Sequence, residues 1–522
     1  MAIATGQKSD PSDTPDSSRR CSADGAGAGH GADAGGGTTV RRDKLKSRHI
    51  TMITLGGIMG SALFIGSGNV IAKAGPAAVV SYAIGGVLVF LAMVLLGEMA
   101  ARRPAVGSFM EYSRINIGDG AAYIVGWLYW YFWVGVLAYD SVVGGAILHG
   151  WFPFLDEWAW GLLMLGLFIA INLRSVKTFG EVEFWLASIK VVAVIIFLVV
   201  GAMLAFGLWP GDDGGARFSN LTDHGGLAPD GMGSVVSGVA IVIFAYFGTE
   251  VAVMAAAESE NPGKGIRQAT KTVIWRILLF FVGSVAIIVT VLPWDSLQPA
   301  TDAASGPFAA VIGELGVPGA SLIMELVVFA AVLSVMNAGL YAASRMLSSM
   351  AEQRYAPKIT AKRNAKGVPV VAVVLSTVGG VVGCLVNFLF PDAGLFDFIM
   401  NSTGLVALFV YAFIALSNWN MRRRMSPEET AAVAMKLRVP LFPLANIIVL
   451  AGVAAVVVVM VIDGSTAEVW SSVVATAFIG VLWPVVKRNR RRTAAAVANA
   501  AGPHELRYEP GGAAAESAES AE

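Results

Sequence analysis

Twelve apolar runs, each near the roughly 20-residue length that crosses a hydrocarbon core, occupy the middle of the chain. They cover approximately residues 50–73, 77–100, 120–148, 158–173, 182–207, 234–258, 272–293, 321–350, 369–389, 394–417, 440–462 and 468–486. In lipid a backbone satisfies its own N–H and C=O groups, so runs of this length fold as helices. The expected fold is therefore an all-α integral membrane protein with about 12 transmembrane helices. Composition agrees, because 14% of the residues are charged, against about 25% in a soluble domain.

Lysine and arginine set the orientation. Loops at 41–48, 102–114, 174–177, 264–271, 354–366, 422–438 and 487–492 are basic, whereas the alternate loops hold only Lys73 and Arg217. The positive-inside rule then places both termini in the cytoplasm of a multi-pass protein of the cell (cytoplasmic) membrane, which requires an even number of spans. Residues 1–45 and 487–522 are rich in small and polar residues. They are expected to be disordered cytoplasmic tails flanking a membrane domain of residues 46–486.

Several function classes are disfavoured. Net charge is zero, which gives no reason to expect a nucleic-acid partner. Cys21 and Cys384 are not placed to pair, and no metal-ligand cluster or cofactor motif is present. The histidines, His30, His49, His149, His224 and His504, fall in tails, loops or span ends. Neither a buried Ser–His pair nor a metal triad is available, so an enzyme is not expected.

Two of the runs are broken. "ITLGGIMGSALFIGSG" (53–68) carries Gly56, Gly57, Gly60, Gly66 and Gly68, and "IFAYFGTEVAVMAAAE" (243–258) adds a glycine and a carboxylate. Unwound backbone at bilayer depth is tolerated only inside protein or against a water-filled cavity. Breaks at corresponding places in two halves point to a transporter binding site. They fall in spans one and six, which suggests a five-plus-five repeat, inverted because five is odd, with two helices added. At ~1.5 Å per residue, residues 60–62, 244–247, 334–337 and 401–404 share the middle depth.

A helix that restarts after Gly60 offers free N–H groups and a partial positive end to a carboxylate. Free carbonyls around Phe244, Ala245 and Phe247 offer acceptors to an ammonium. Together they suit a zwitterion; the alternative is that the glycines only allow close helix packing. Charges inside spans are costly and usually functional. Lys190 is a candidate proton carrier or fixed cation, or else a lysine that snorkels to the inner interface. Glu250 is a candidate proton site or gate, or a partner for the nearby break. Asp140 is placed to receive an amine or take part in coupling, or to be a solvated vestibule charge. Glu98, beside Arg102 and Arg103, reads as structural or gating. Glu258 and Glu260 read as caps or loop partners, with Glu258 also a possible inner gate. Phe244 is a thin gate or a core ring, and Ser334 and Asn337 line the pocket or bond across helices.

"RHITMITLGGIMGSALFIGSGNVIAKAGPAAVVSYAI", "GEMAARRPAVGSFMEYS", "NLRSVKTFGEVEFWLASIKVV", "FAYFGTEVAVMAAAESENP" and "MNAGLYAASRMLSSMAEQRYAPK" occur in order. Over about residues 46–430 the chain resembles the amino-acid/polyamine/organocation (APC) superfamily, in its bacterial amino-acid permease branch. Within it "GTEVAVMAAAESENP" is most like the γ-aminobutyrate permeases, while proline, aromatic and basic amino-acid permeases share much of the pattern. The resemblance implies the leucine-transporter-like five-plus-five inverted fold and alternating access. It assigns substrate binding to Met59, Gly60, Ser61, Ala62, Phe244, Ala245 and Phe247. It also matches Lys190 to a lysine that replaces sodium and is linked to proton coupling in relatives. Glu250 and Asp140 match acidic family positions.

Two positions depart from the family pattern. Ala62 stands where glycine is common, and Asp140 where glutamate is usual. The expectation is a proton-coupled symporter that imports a small zwitterion, best matched by γ-aminobutyrate. Alternatives are a permease for another amino acid, an exchanger, or a transporter-like membrane sensor.

Overall fold

Each apolar run forms helix because a lipid-facing backbone has no other partner for its polar groups. The computed structural model describes residues 45–500 except 58, 211–214, 298–305, 317–318, 391–394, 427, 429–441 and 463–465. Cys21, the expected tail before residue 45 and the chain beyond 500 lie outside the described residues. Among those described, pairing between extended segments is confined to one isolated bridge, Leu45 with Ser259.

Span one is built from α1 (Ser47–Leu55), α2 (Ser61–Phe64) and α3 (Ser67–Ala74), and span two is α4 (Ala78–Arg102). After the short α5 (Ser108–Asn116) come α6 (Asp119–Trp151), α7 (Glu157–Arg174) and α8 (Val176–Ala205). Span six is α9 (Gly231–Tyr246) and α10 (Val251–Ala257). Span seven is α11 (Pro262–Arg276), a π-helical turn (Ile277–Val282) and α12 (Gly283–Val291). The short α13 (Pro307–Gly313) precedes α14 (Ala320–Glu352). Then follow α15 (Val370–Ser376), α16 (Val378–Leu389), α17 (Leu395–Arg424), α18 (Leu444–Ile462) and α19 (Thr466–Ala500). Eleven stretches among the described residues are long and apolar enough to cross a membrane, and one of these, Ser61–Arg102, joins the outer part of span one to span two. Counting those separately gives the expected twelve. The last helix continues past residue 486, the expected end of the membrane domain, to Ala500.

Both expected breaks are present. Span one stops at Leu55 and restarts at Ser61 after an extended Gly60 (φ −107°, ψ −170°). Gly56 lets the end of α1 rest on α8, because a Cβ there would stand 2.8 Å from the Ala187 carbonyl oxygen. Span six breaks at 247–250, later than the expected 244–247. Phe247 turns extended (φ −64°, ψ 148°) and Gly248 takes φ +98°. That conformation is open to glycine and strained for other residues, so Gly248 sets the break rather than the midpoint of the span. Four spans lie between the two breaks, so the broken helices run in opposite directions.

Helix α8 shows how the bundle sorts its faces. Trp185, Ile189, Val192, Ile196 and Val199 are exposed at three- and four-residue spacing, as a lipid-facing stripe requires. Glu183, Ala187, Lys190, Val194 and Phe197 form the opposite, buried stripe. Lys190 therefore points into the bundle rather than toward an interface. Helices α6 and α14 pack along each other at the centre, with α1 and α14 against α8 and α4 against α9.

Candidate functional site

The two breaks flank a small cavity. Its walls are Gly60, Ser61 and Ala62 at the restart of span one, Phe244, Ala245 and Phe247 at the end of α9, residues of α6 including Asp140, and Val335 of α14. Aromatic rings close one side: the Phe132 centroid lies 4.3 Å from that of Phe247 and 5.8 Å from that of Phe244. The volume is about 30 Å³, room for about two waters. Anything larger enters only if the rings or Val335 move aside.

Backbone groups at the cavity follow from the breaks. The restart at Ser61 carries no side-chain cap; Leu63 N donates to Gly60 O at 3.0 Å, and the Ser61 hydroxyl donates to Asp140 Oδ1 at 3.2 Å. On the other side, Phe247 N donates to both Ile243 O (3.0 Å) and Phe244 O (3.1 Å), and Thr249 N donates to Tyr246 O (3.4 Å). The Phe244 carbonyl is thus engaged within the chain, while Thr249 has turned away from Ala245.

Lys190 anchors a second cluster, behind the break of span one. Its Nζ donates to Met59 O at 2.9 Å and to Ser334 Oγ at 2.8 Å. The Ser334 hydroxyl in turn donates to Glu183 Oε1. Asn337 Nδ2 donates to Glu183 Oε2 at 3.0 Å, and Asn172 Nδ2 to Asn337 Oδ1 at 3.3 Å. All of these side chains are buried. A buried charge needs a counter-charge and hydrogen bonds; Glu183 supplies the counter-charge through Ser334, and Met59 O and Ser334 Oγ accept two of the ammonium's protons. Met59 and Asn337, expected beside substrate, sit in this cluster and not on the cavity wall.

Glu183 was not singled out from sequence. The signal was available: it precedes Lys190 by seven residues, two turns along one helix face. Arg276 was likewise missed, inside "VIWRILLFF". It is buried at the π-helical turn. Its Nη1 donates to Thr54 O in α1 at 3.0 Å, and its Nη2 to the Thr249 hydroxyl in the break of span six.

Glu250 stays outside the cavity wall. Its Oε2 accepts from Gly248 N at 3.0 Å, and it occupies the N-cap position of α10, where a negative charge suits the helix dipole. Glu98 pairs with Arg422 and accepts from Asn418 Nδ2 at 2.9 Å.

Glu258 marks the end of the bundle where Leu45 lies. Leu45 N donates to Glu258 O (3.3 Å) and Glu260 N to Leu45 O (3.1 Å). The Glu258 carboxylate pairs with Arg345 of α14 at 3.0 Å, with Arg345 4.8 Å above the Tyr341 ring. This pair joins spans six and eight. A double-mutant cycle of Glu258→Gln and Arg345→Gln, read by thermal unfolding in detergent, is expected to give a coupling of about 0.5–3 kcal/mol. Strictly additive single effects would dismiss the pair as a link between those spans.

A family model described as amino acid permease matches residues 49–493. A gamma-aminobutyric acid permease of Bacillus subtilis is 42% identical over 459 residues, covering 88% of this chain and 96% of its own length. One of Escherichia coli K12 is 40% identical over 416 residues, covering 80% of this chain and 88% of its own. An aromatic amino acid transport protein of Corynebacterium glutamicum is 37% identical over 439 residues, covering 84% and 94%.

Proposed function

The chain belongs to the amino acid permease family, and from that premise we propose that it imports γ-aminobutyrate with protons across the cell membrane by alternating access. The observation that carries the site is the convergence of two helix breaks on one cavity. The substrate carboxylate lies against the N–H groups that restart span one at Ser61 and Ala62, with Gly60 giving the close approach. Phe244 closes over it. Identity to the two γ-aminobutyrate permeases supports the substrate, and the similar aromatic amino acid transport protein keeps a larger substrate as the second reading.

Lys190 holds the Met59 carbonyl at the break, so its charge state and the shape of span one are linked. A proton taken or released there would alter that bond, which makes Lys190 the proposed coupling residue. Glu250, whose carboxylate accepts from Gly248 N at the second break, is the second candidate. Both termini lie in the cytoplasm, on the side of the lysine- and arginine-rich loops.

Reconstituted vesicles test this. An inward proton gradient without sodium is expected to drive accumulation of labelled γ-aminobutyrate, with proline, phenylalanine and lysine as competitors. Accumulation that requires sodium and ignores the proton gradient would overturn the coupling. Stronger competition by phenylalanine than by unlabelled γ-aminobutyrate would select the aromatic reading.

A further inference from the structure

The cavity wall holds one buried carboxylate that import by backbone groups leaves without a task. Asp140, in the middle of α6, is 1% exposed. Its Oδ1 accepts the Ser61 hydroxyl at 3.2 Å, while its Oδ2 is buried with no hydrogen-bond partner among the described residues. Most of the surrounding side chains are apolar: Phe132, Trp133, Val136, Phe244, Phe247 and Val335.

Charge accounting makes this a ligand position. A carboxylate seated at Ser61 would face Asp140 across one hydroxyl, and two like charges so close repel unless a cation lies between them. Among the described residues no lysine, arginine or histidine lines the cavity. Lys190 is committed to Met59 O and Ser334 Oγ behind the break. An ammonium carried by the ligand would supply that cation. Of the span-six carbonyls expected to receive an amine, that of Phe244 already accepts from Phe247 N, because α9 stays helical through Tyr246.

We propose that Asp140 is the receptor for the substrate's ammonium group, so that the cavity selects compounds whose amine reaches Asp140 while their carboxylate lies at Ser61. This rests on the amino-acid import argued above. It makes Asp140 a specificity-determining residue: a ligand with the carboxylate but no amine leaves the Asp140 charge unpaired and is rejected.

The test compares matched ligands on the purified full-length protein by calorimetry. One pair is γ-aminobutyrate and 4-hydroxybutyrate; a second is phenylalanine and 3-phenyllactate. The wild type is expected to favour the amine of a pair by at least tenfold. Asp140→Asn is expected to lower that preference at least tenfold, chiefly by weakening the amine-bearing ligand. Asp140→Glu, which keeps the charge, is expected to retain most of it. Should Asp140→Asn not fold, Asp140→Ser gives the same comparison. An unchanged preference in the neutral variants overturns the assignment, even where both affinities fall together, because a structural role weakens both ligands alike. Wild-type protein that binds neither amino acid overturns the import of these amino acids, and this assignment with it.

Discussion

Replacing Lys190 by methionine or Glu183 by glutamine is expected to end proton-driven accumulation in either case, and to destabilise the protein more than replacing both at once. The two charges are joined through one hydroxyl: Lys190 Nζ donates to Ser334 Oγ at 2.8 Å, and Ser334 donates to Glu183. Both side chains are fully buried. Removing one member of a buried pair strands the other, at a cost of about 3–5 kcal/mol, whereas removing both removes the desolvation penalty as well. Thermal unfolding in detergent of wild type, Lys190→Met, Glu183→Gln and the double variant measures this. The double variant should lie above the sum of the single losses. Uptake in vesicles supplies the second readout: wild-type accumulation by Lys190→Met would reduce the lysine to a structural tie. Simple additivity would separate the two charges.

Gly248→Val is expected to be the most damaging glycine substitution in span six. Its φ of +98° is strained for an L side chain, and left-handed backbone alone costs roughly 1–2 kcal/mol per residue. A β-branched residue adds to that, and relief of the strain shifts the turn that aims Phe247 at the cavity. Yield of monodisperse protein and uptake rate both report the effect, with Gly166→Ala as control, since a Cβ at Gly166 meets open space. Expression and transport equal to the control would mean that the break does not depend on Gly248.

The spans and their breaks were legible because lipid permits so few solutions. Length alone defines a helix there, and glycine inside an apolar run has to be explained. Direction was less legible. Depth placed Asn337 beside substrate, but the facing of α14 turns it to Glu183. Depth also placed the second break three residues early, since the midpoint of a span carries no information about which residue accepts positive φ. Glu183 and Arg276 drew no role from the sequence, since each sits near the edge of its apolar run. Only the partner helices, α14 for one and α1 for the other, reveal that they are interior. The shorter carboxylate of Asp140 was visible in sequence, but its free oxygen and its contact with Ser61 belong to the packing of α6 against span one.

Arg276 carries a mechanical consequence. A single guanidinium grips the last turn of α1 through Thr54 and the turn before α10 through Thr249. Two half-helices that could swing separately are yoked at one rigid, planar fork. Opening the Leu45 end then needs one concerted stroke of both arms rather than two independent ones. Displacing only one arm would strand part of that guanidinium without a partner in a dry interior, where an unpaired donor is costly.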